Sequence, residues 1–423
     1  MNSHVANEIE LSTLDLVCSV MDSSMRPLDF VLVFHLKQAP GIEALRIGAS
    51  SARNRYPTTG SYIDGKQYRR LPMPSDDITI LEASPDATIT SRIEDFLDRP
   101  FDPREQAPVQ QLVITNNTDG RVKLITRFHH AAVDGLSAAM WLRHQLRVAS
   151  GQESFIAEAS AFNPLPLQTH PSPVKQSRFA YRGPSHPLSN SWSRSCGQPS
   201  RTRHWHTIKI AAANLRKRIR TAGGFTYNDL LITCALEVFI GWNRMHGAGH
   251  KRKVSVWLPV NIRQHFFSGF GNGTSRIRIY ARYADTASLL DKCREVRRQI
   301  SWGREHGEWA VPQEVPLARL PLWLIVKPLR CYLNRPWVDM ATGVFSHAER
   351  WSESEDEIFQ HLEQIECIGQ LHRRHSVAIN GATHHGQTWL TFTYDPGLLT
   401  SDDVRLMAEM YQEQLDVAER ELR

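Results

Sequence analysis

Between residues 163 and 200 the chain changes character, and that break constrains the fold more than any other stretch. Pro164, Pro166, Pro171, Pro173, Pro184, Pro187 and Pro199 stand among serines and arginines with little apolar periodicity. Each proline removes a backbone donor and interrupts helix, so no compact element fits here. The stretch reads as an exposed linker, 163–200, between an N-terminal lobe, 1–162, and a C-terminal lobe, 201–423. Length agrees, because 423 residues exceed what one hydrophobic core usually holds, and a cleft between lobes is where substrates commonly bind.

Both lobes mix helix and strand signals, which makes the fold class α/β or α+β. Ser12, three residues before Asp15, forms a capping arrangement, and Leu14, Val17, Cys18 and Met21 then recur at helical spacing. Residues 30–34 are strand-like and 42–53 form an amphipathic helix. Two strands, 111–114 and 122–128, are joined through the turn residues 116–120. After the break, strands are expected at 206–210, 254–260, 274–283 and 388–394. Helices are expected from Leu215 and over 226–242, 289–300 and 402–422. Residues 303–336 mix prolines with Leu320, Trp323 and Ile325, the pattern of a covering loop with short helices.

The six cysteines lie far apart with no C-x-x-C pair, so neither a structural zinc site nor a disulfide scaffold is expected. Free thiols fit a reducing, cytoplasmic setting. Residues 1–14 are polar and acidic where a secretory leader would be apolar. The greasiest stretches, 30–36 and 320–326, are too short to span a bilayer, so no integral membrane segment is expected. The net charge of +6 gathers at Arg216, Lys217, Arg218 and Arg220, at Lys251, Arg252 and Lys253, and at Arg294, Arg297 and Arg298. Such clusters are either solvated faces or docks for the phosphates of a nucleotide-bearing thioester or an acidic carrier protein. No zinc-finger, RNP-type or helix-turn-helix signature accompanies them, and nucleic acid is not an expected partner.

The chemistry concentrates in His129-His130-Ala131-Ala132-Val133-Asp134-Gly135, directly after the strand 122–128. Val122, Leu124 and Phe128 share one parity that His130 continues. His130 therefore faces the site, while His129 supports it from the opposite face against backbone or core. An imidazole with an unperturbed pKa near 6.5 suits proton transfer at neutral pH. Asp134 stands where the strand gives way to the helix 136–148; taken alone, it is an ordinary N-cap. Gly135 permits either a tight turn or close approach of a substrate. Metal binding is the rival use of His and Asp. However, adjacent strand side chains diverge and no third ligand stands at ligand spacing nearby, leaving only the distant doublet His384-His385 to complete a site. There is no G-x-S-x-G elbow, P-loop or H-E-x-x-H, and Gly269-Phe270-Gly271-Asn272-Gly273 reads as a loop rather than a nucleotide cradle.

The pattern H-H-x-x-x-D-G resembles the signature of the CoA-dependent acyltransferase superfamily. That superfamily includes chloramphenicol acetyltransferase, plant BAHD acyltransferases, wax ester synthases and the condensation domains of nonribosomal peptide synthesis. Weaker similarity extends over nearly the whole chain. It runs through Leu11-Ser12-Thr13-Leu14-Asp15, Ala107-Pro108-Val109-Gln110-Gln111-Leu112, Thr226-Tyr227-Asn228-Asp229-Leu230-Leu231, Pro259-Val260-Asn261-Ile262-Arg263 and Gly271-Asn272-Gly273.

The resemblance implies two lobes, each an open mixed sheet flanked by helices, with a tunnel between them and the motif at its middle. It makes His130 the catalytic histidine and Asp134 an aspartate that holds the site's shape through an arginine. Arg263, supported by Asn261, is the expected partner, and the Gly135 N–H is expected to help hold an oxyanion. No D-F-G-W-G segment stands near the C-terminus, unlike a BAHD enzyme, and the Pro-Leu-Trp of wax ester synthases occurs only at Pro321-Leu322-Trp323, far past the motif.

The expected function is acyl transfer from a CoA or carrier-protein thioester to a hydroxyl acceptor, with no metal or resident cofactor. A free-standing condensation enzyme forming an amide on an amine acceptor would use the same base. A catalytically idle binding or recruiting module is the alternative of another class. Expected partners are the acyl thioester donor, a small-molecule hydroxyl or amine acceptor, and an acyl or peptidyl carrier protein.

Overall fold

The computed structural model describes residues 8–22, 27–71, 78–81, 86–116, 120–163, 165–168, 200–247, 253–264, 269–282, 286–310, 321–333, 341–348, 357–371 and 375–423. Most of the expected linker therefore lies outside the described residues. So do Cys196, turn residues 117–119, Lys251, Arg252, Tyr283 and much of the irregular zone 303–336.

Up to the break the order is β1 (Glu8–Glu10), α1 (Thr13–Met21), β2 (Asp29–Leu36), α2 (Ile42–Arg55), β3 (Ser61–Asp64), β4 (Gln67–Arg70), β5 (Ile78–Leu81), α3 (Asp86–Asp98), β6 (Val109–Thr115), β7 (Val122–His129) and α4 (Gly135–Ala149). The capping box at α1 is complete, with Ser12 and Asp15 each bonding the other's backbone N–H. β2 is apolar almost without interruption because both faces of its sheet are covered. Phe30, Leu32, Phe34, Leu124 and Phe128 pack beneath α2 and α4 against Leu45, Ala49, Trp141 and Leu146. Val31, Val33 and Ile125 pack on the other face against Ile89, Ile93 and Phe96 of α3. α2 and α4 approach closely at Gly48, where a Cβ would stand 2.3 Å from the Gln145 carbonyl oxygen.

After the break come β8 (His204–Ala211), α5 (Ala212–Ala222), α6 (Tyr227–Met245), β9 (Lys253–Asn261), β10 (Thr274–Arg282), α7 (Leu289–Glu305), α8 (Leu322–Leu333), β11 (Gly343–Ala348), α9 (Glu357–Gln360), β12 (Leu362–Ile368), β13 (Val377–His384), β14 (Gln387–Tyr394) and α10 (Ser401–Glu421). Six of these strands form a mixed sheet in the order β10-β9-β11-β13-β14-β8. α6, capped by Thr226 and Asp229, is buried along most of its length and shares one core with α7, α10 and this sheet. β1, β4 and β3 make a small antiparallel sheet of their own.

The two main sheets do not divide at the proline-rich break. β12 pairs antiparallel with β2, giving the other sheet the order β12-β2-β7-β6-β5. Continuing from it, the Cys367 and Gly369 backbone N–H groups donate to the Thr391 and Thr393 hydroxyls of β14, at 3.1 and 2.9 Å. Leu362, Ile365 and Ile368 are buried at a period of three, and a register shift lies between Leu362 and Gln364. That spacing hides the strand from a search for alternation. Just before β8, the buried Arg203 guanidinium donates to the Asp29 carbonyl at 3.0 Å and stands 2.8 Å from the Asp29 carboxylate, which also holds Arg127. Among the described residues, no helix is long and apolar enough to cross a membrane.

Because the Gln145 carbonyl cannot retreat without breaking α4, Gly48→Ala should force the two helices apart and destabilise the protein by about 1–3 kcal/mol. Urea unfolding followed by circular dichroism measures this. An unchanged midpoint would mean that the α2–α4 contact yields freely.

Candidate active site

β7 delivers the motif to its site. His129 is the strand's last residue and is fully buried. Its Nδ1 accepts the Ala131 N–H at 3.1 Å, so in the neutral ring Nε2 carries the proton, 3.3 Å from Asp22 Oδ1. Its ring also meets Phe101 edge-on with centroids 5.6 Å apart. Every polar atom of this side chain faces into the N-terminal lobe.

His130, one residue past the strand, is half-buried. Its ring lies 4.5 Å from that of Phe30, which also stacks on Phe128 at 5.5 Å, so His130 keeps the parity of Phe128. Burial pushes its imidazole down to about 4, against the pull of the Asp134 carboxylate and a hydrogen bond with the Val133 backbone. The ring is neutral at pH 7 and able to accept a proton.

Asp134 is both things that the sequence allowed. As N-cap of α4 its Oδ1 accepts the Ser137 N–H at 2.9 Å. The same carboxylate receives Arg263 through two parallel N–H···O bonds of 2.8 Å each. The Gly273 N–H at 2.9 Å and the Thr274 hydroxyl at 2.7 Å complete it. Burial alone would raise this acid, but the Arg263 bonds and charge, with those of Ser137 and Thr274, hold it below the usual carboxylate range. Arg263 also donates to the Gly269 and Gly271 carbonyls and to Ser137 Oγ, at 2.8–2.9 Å. Asn261 Oδ1 accepts the Arg263 backbone N–H at 3.0 Å.

Gly135 is the first residue of α4, exposed and without a positive φ, so no tight turn requires glycine here. What the position does have is open space: nothing lies within 4 Å of where a Cβ would be. That space leaves room for another molecule to approach.

The loop after Arg263 belongs to the site, which the sequence did not reveal. Ser137 Oγ donates to the Gly271 carbonyl and accepts the Gly271 N–H, at 2.8 and 2.9 Å. Asn272 reaches the His130 carbonyl at 2.7 Å. Gly273 is glycine because a Cβ there would stand 2.6 Å from the Arg263 side chain. Glycines around a lone Asn were the available signal, but their partners are more than a hundred residues away. The doublet His384-His385 is engaged elsewhere, with His384 Nε2 2.9 Å from the Phe359 carbonyl oxygen. Among the described residues, no three His, Cys, Asp or Glu side chains are grouped to hold a metal ion. Arg294, Arg297 and Arg298 line a surface groove of about 640 Å³ with Trp302 on α7, and Arg294 and Arg298 pair with Asp291 and Glu295.

No protein-family model matches the sequence, and neither does any curated protein. Solved structures do match. The first condensation domain of the CDA synthetase superposes with a TM-score of 0.69 over 98% of this chain and 97% of that one, at 12% identity. The trichothecene 15-O-acetyltransferase of Fusarium sporotrichioides gives 0.70 over 97% and 94%, at 13% identity. The chain has the condensation-domain fold. The X-domain from teicoplanin biosynthesis shares this condensation-domain fold too, with a TM-score of 0.66 over 98% and 96% at 14% identity.

Removing Arg263 would leave Asp134 buried without its counter-charge. Arg263→Gln should therefore destabilise the protein by about 3–5 kcal/mol at pH 7. In the wild type, the stability due to the lowered Asp134 pKa is present above the unfolded value of 3.8 and is lost as pH falls below it. In the variant, burial raises that pKa, so protonation relieves the strain and the gap to wild type narrows from pH 7 to pH 4.5. Unfolding at both pH values checks this, and a constant gap would refute the electrostatic account.

Proposed function

We propose that this chain is an acyltransferase moving an acyl group from a CoA or carrier-protein thioester to a hydroxyl acceptor, with His130 as general base. The observation that carries the proposal is a half-buried, neutral imidazole packed on Phe30, ahead of the open start of α4, with its carbonyl held by Asn272. The lobes 1–162 and 201–423, joined by the linker 163–200, would enclose donor and acceptor, with β12 crossing between them.

The chemistry balances without a metal or a covalent enzyme intermediate. His130 takes the acceptor's hydroxyl proton as its oxygen attacks the thioester carbonyl. The Gly135 N–H, at the start of α4, stabilises the oxyanion that forms. Collapse expels the thiolate, which takes the proton back from the imidazolium, so ester and free thiol leave and the ring returns neutral. Asp134 holds Arg263 and the loop in place rather than exchanging protons. An amine acceptor would give an amide by the same steps.

A recruiting role has one supporting observation: the chain also superposes on an X-domain solved in complex with OxyB, with a TM-score of 0.60 at 13% identity.

His130→Ala should lower turnover by about two to four powers of ten while leaving the fold intact. Assays with acyl-CoA and acyl-carrier donors against alcohol and amine panels measure it, and full activity in the variant would remove His130 as the base. With its pKa pushed down to about 4, His130 stays in its basic form as pH falls through 6.5. The acid limb of kcat/KM should therefore lie below pH 6.5, and an inflection at 6.5 would count against a buried, neutral base.

A further inference from the structure

The amide nitrogen of Asn272 has two hydrogens, and both are used. One goes to Asp15 Oδ1 on α1 at 2.5 Å, the other to the His130 carbonyl at 2.7 Å. Asn272 and Asp15 are both buried, and Asp15 Oδ2 is occupied by the Ser12 N–H at 3.0 Å. The carboxylate thus orients the amide, because only Nδ2 can face two acceptors at once. The next carbonyl of the motif, Ala131, accepts from the buried Tyr68 hydroxyl of β4 at 2.5 Å. The His130 N–H is fixed by the Leu28 carbonyl at 2.8 Å. The main chain that carries the imidazole is therefore gripped on three sides. Asn272 is the one grip contributed from beyond the proline-rich break.

We propose that Asn272 is a positioning residue that sets the aim of the His130 imidazole by holding its carbonyl, with Asp15 orienting the Asn272 amide. The assignment rests on His130 acting as general base. Docking of residues 269–274 onto the motif and alignment of the base are then one event, since Asp134 and the His130 carbonyl are engaged by the neighbouring residues Gly273 and Asn272.

Exchange of the two side chains separates positioning from structure. In Asn272→Asp two buried carboxyls meet and share a proton, which their mutual contact retains, so the His130 carbonyl faces a carboxyl oxygen and loses its donor. Turnover should fall about 10- to 100-fold, with KM for the thioester nearly unchanged, as a small misplacement of a catalytic group does. The double variant Asp15→Asn/Asn272→Asp restores a donor–acceptor pair between the two positions but still offers no donor to His130. Its melting temperature should return toward wild type while kcat stays low. If kcat returns with the melting temperature, the contact is structural only and the proposal is overturned.

Asn272→Ser, uncharged and still a single donor, serves if Asn272→Asp does not fold, and should lose turnover by a smaller factor without a change in KM. The His130 ring resonances, assigned by their loss in His130→Ala, supply a readout independent of turnover. They should move in both the single and the double variant. Moved resonances in a protein without acyl transfer to any acceptor would reject the function and keep the positioning role. Intact turnover with unmoved resonances in Asn272→Asp would reject the positioning role and keep the function.

Discussion

The Asp134–Arg263 pair is the interaction on which the rest of the site depends. A buried carboxylate and a buried guanidinium are tolerable only when every oxygen and most N–H groups are matched, and here they are. Such a pair contributes little net stability compared with well-packed apolar residues, so its value is directional. Two parallel N–H···O bonds permit one relative placement of the motif and the segment after β9. The requirement for glycine at 273 and the two-way bonding between Ser137 and Gly271 follow from that placement.

Burial, not that pair, decides the protonation of His130. A lone aspartate four residues away would raise the histidine's pKa and favour a cation. Burial outweighs that pull, with His129 adding to the lowering, and the imidazole stays neutral. His129 is bound through both nitrogens' surroundings into the N-terminal lobe, by the Ala131 N–H on one side and Asp22 on the other. The doublet therefore divides its work by strand parity, one ring bracing the turn and the other facing outward.

What was legible in the sequence is what local chemistry controls. The capping boxes at Ser12 and Thr226 set the starts of α1 and α6, and largely apolar runs mark β2 and β9. The strand–motif–helix succession around His130 follows from alternation giving way to helical spacing at a capping aspartate. β12 escaped because its buried residues recur every third position around a register shift. β3 and β4 are four residues each, too short for a period to register. Asn272 and Thr274 carry no spacing that points to His130 or Asp134, and Ser137 is marked by its place three residues after the capping Asp134 only as a backbone donor, not through its hydroxyl. The open surroundings of Gly135 are a property of space rather than of chain.

By itself the sequence determined an α/β chain whose proton-transfer residues stand at one strand-to-helix junction, because parity, caps and turns act over a few residues. The family resemblance had implied Arg263 as the partner of Asp134; only the tertiary structure decided the geometry of that pair, that β12 returns to the first sheet, and that Asn272 holds the His130 carbonyl. Those contacts join residues 129 and 142 positions apart, or strands from opposite sides of the break. Their partners are selected by packing and by the need to satisfy buried charges and donors, which no local pattern records.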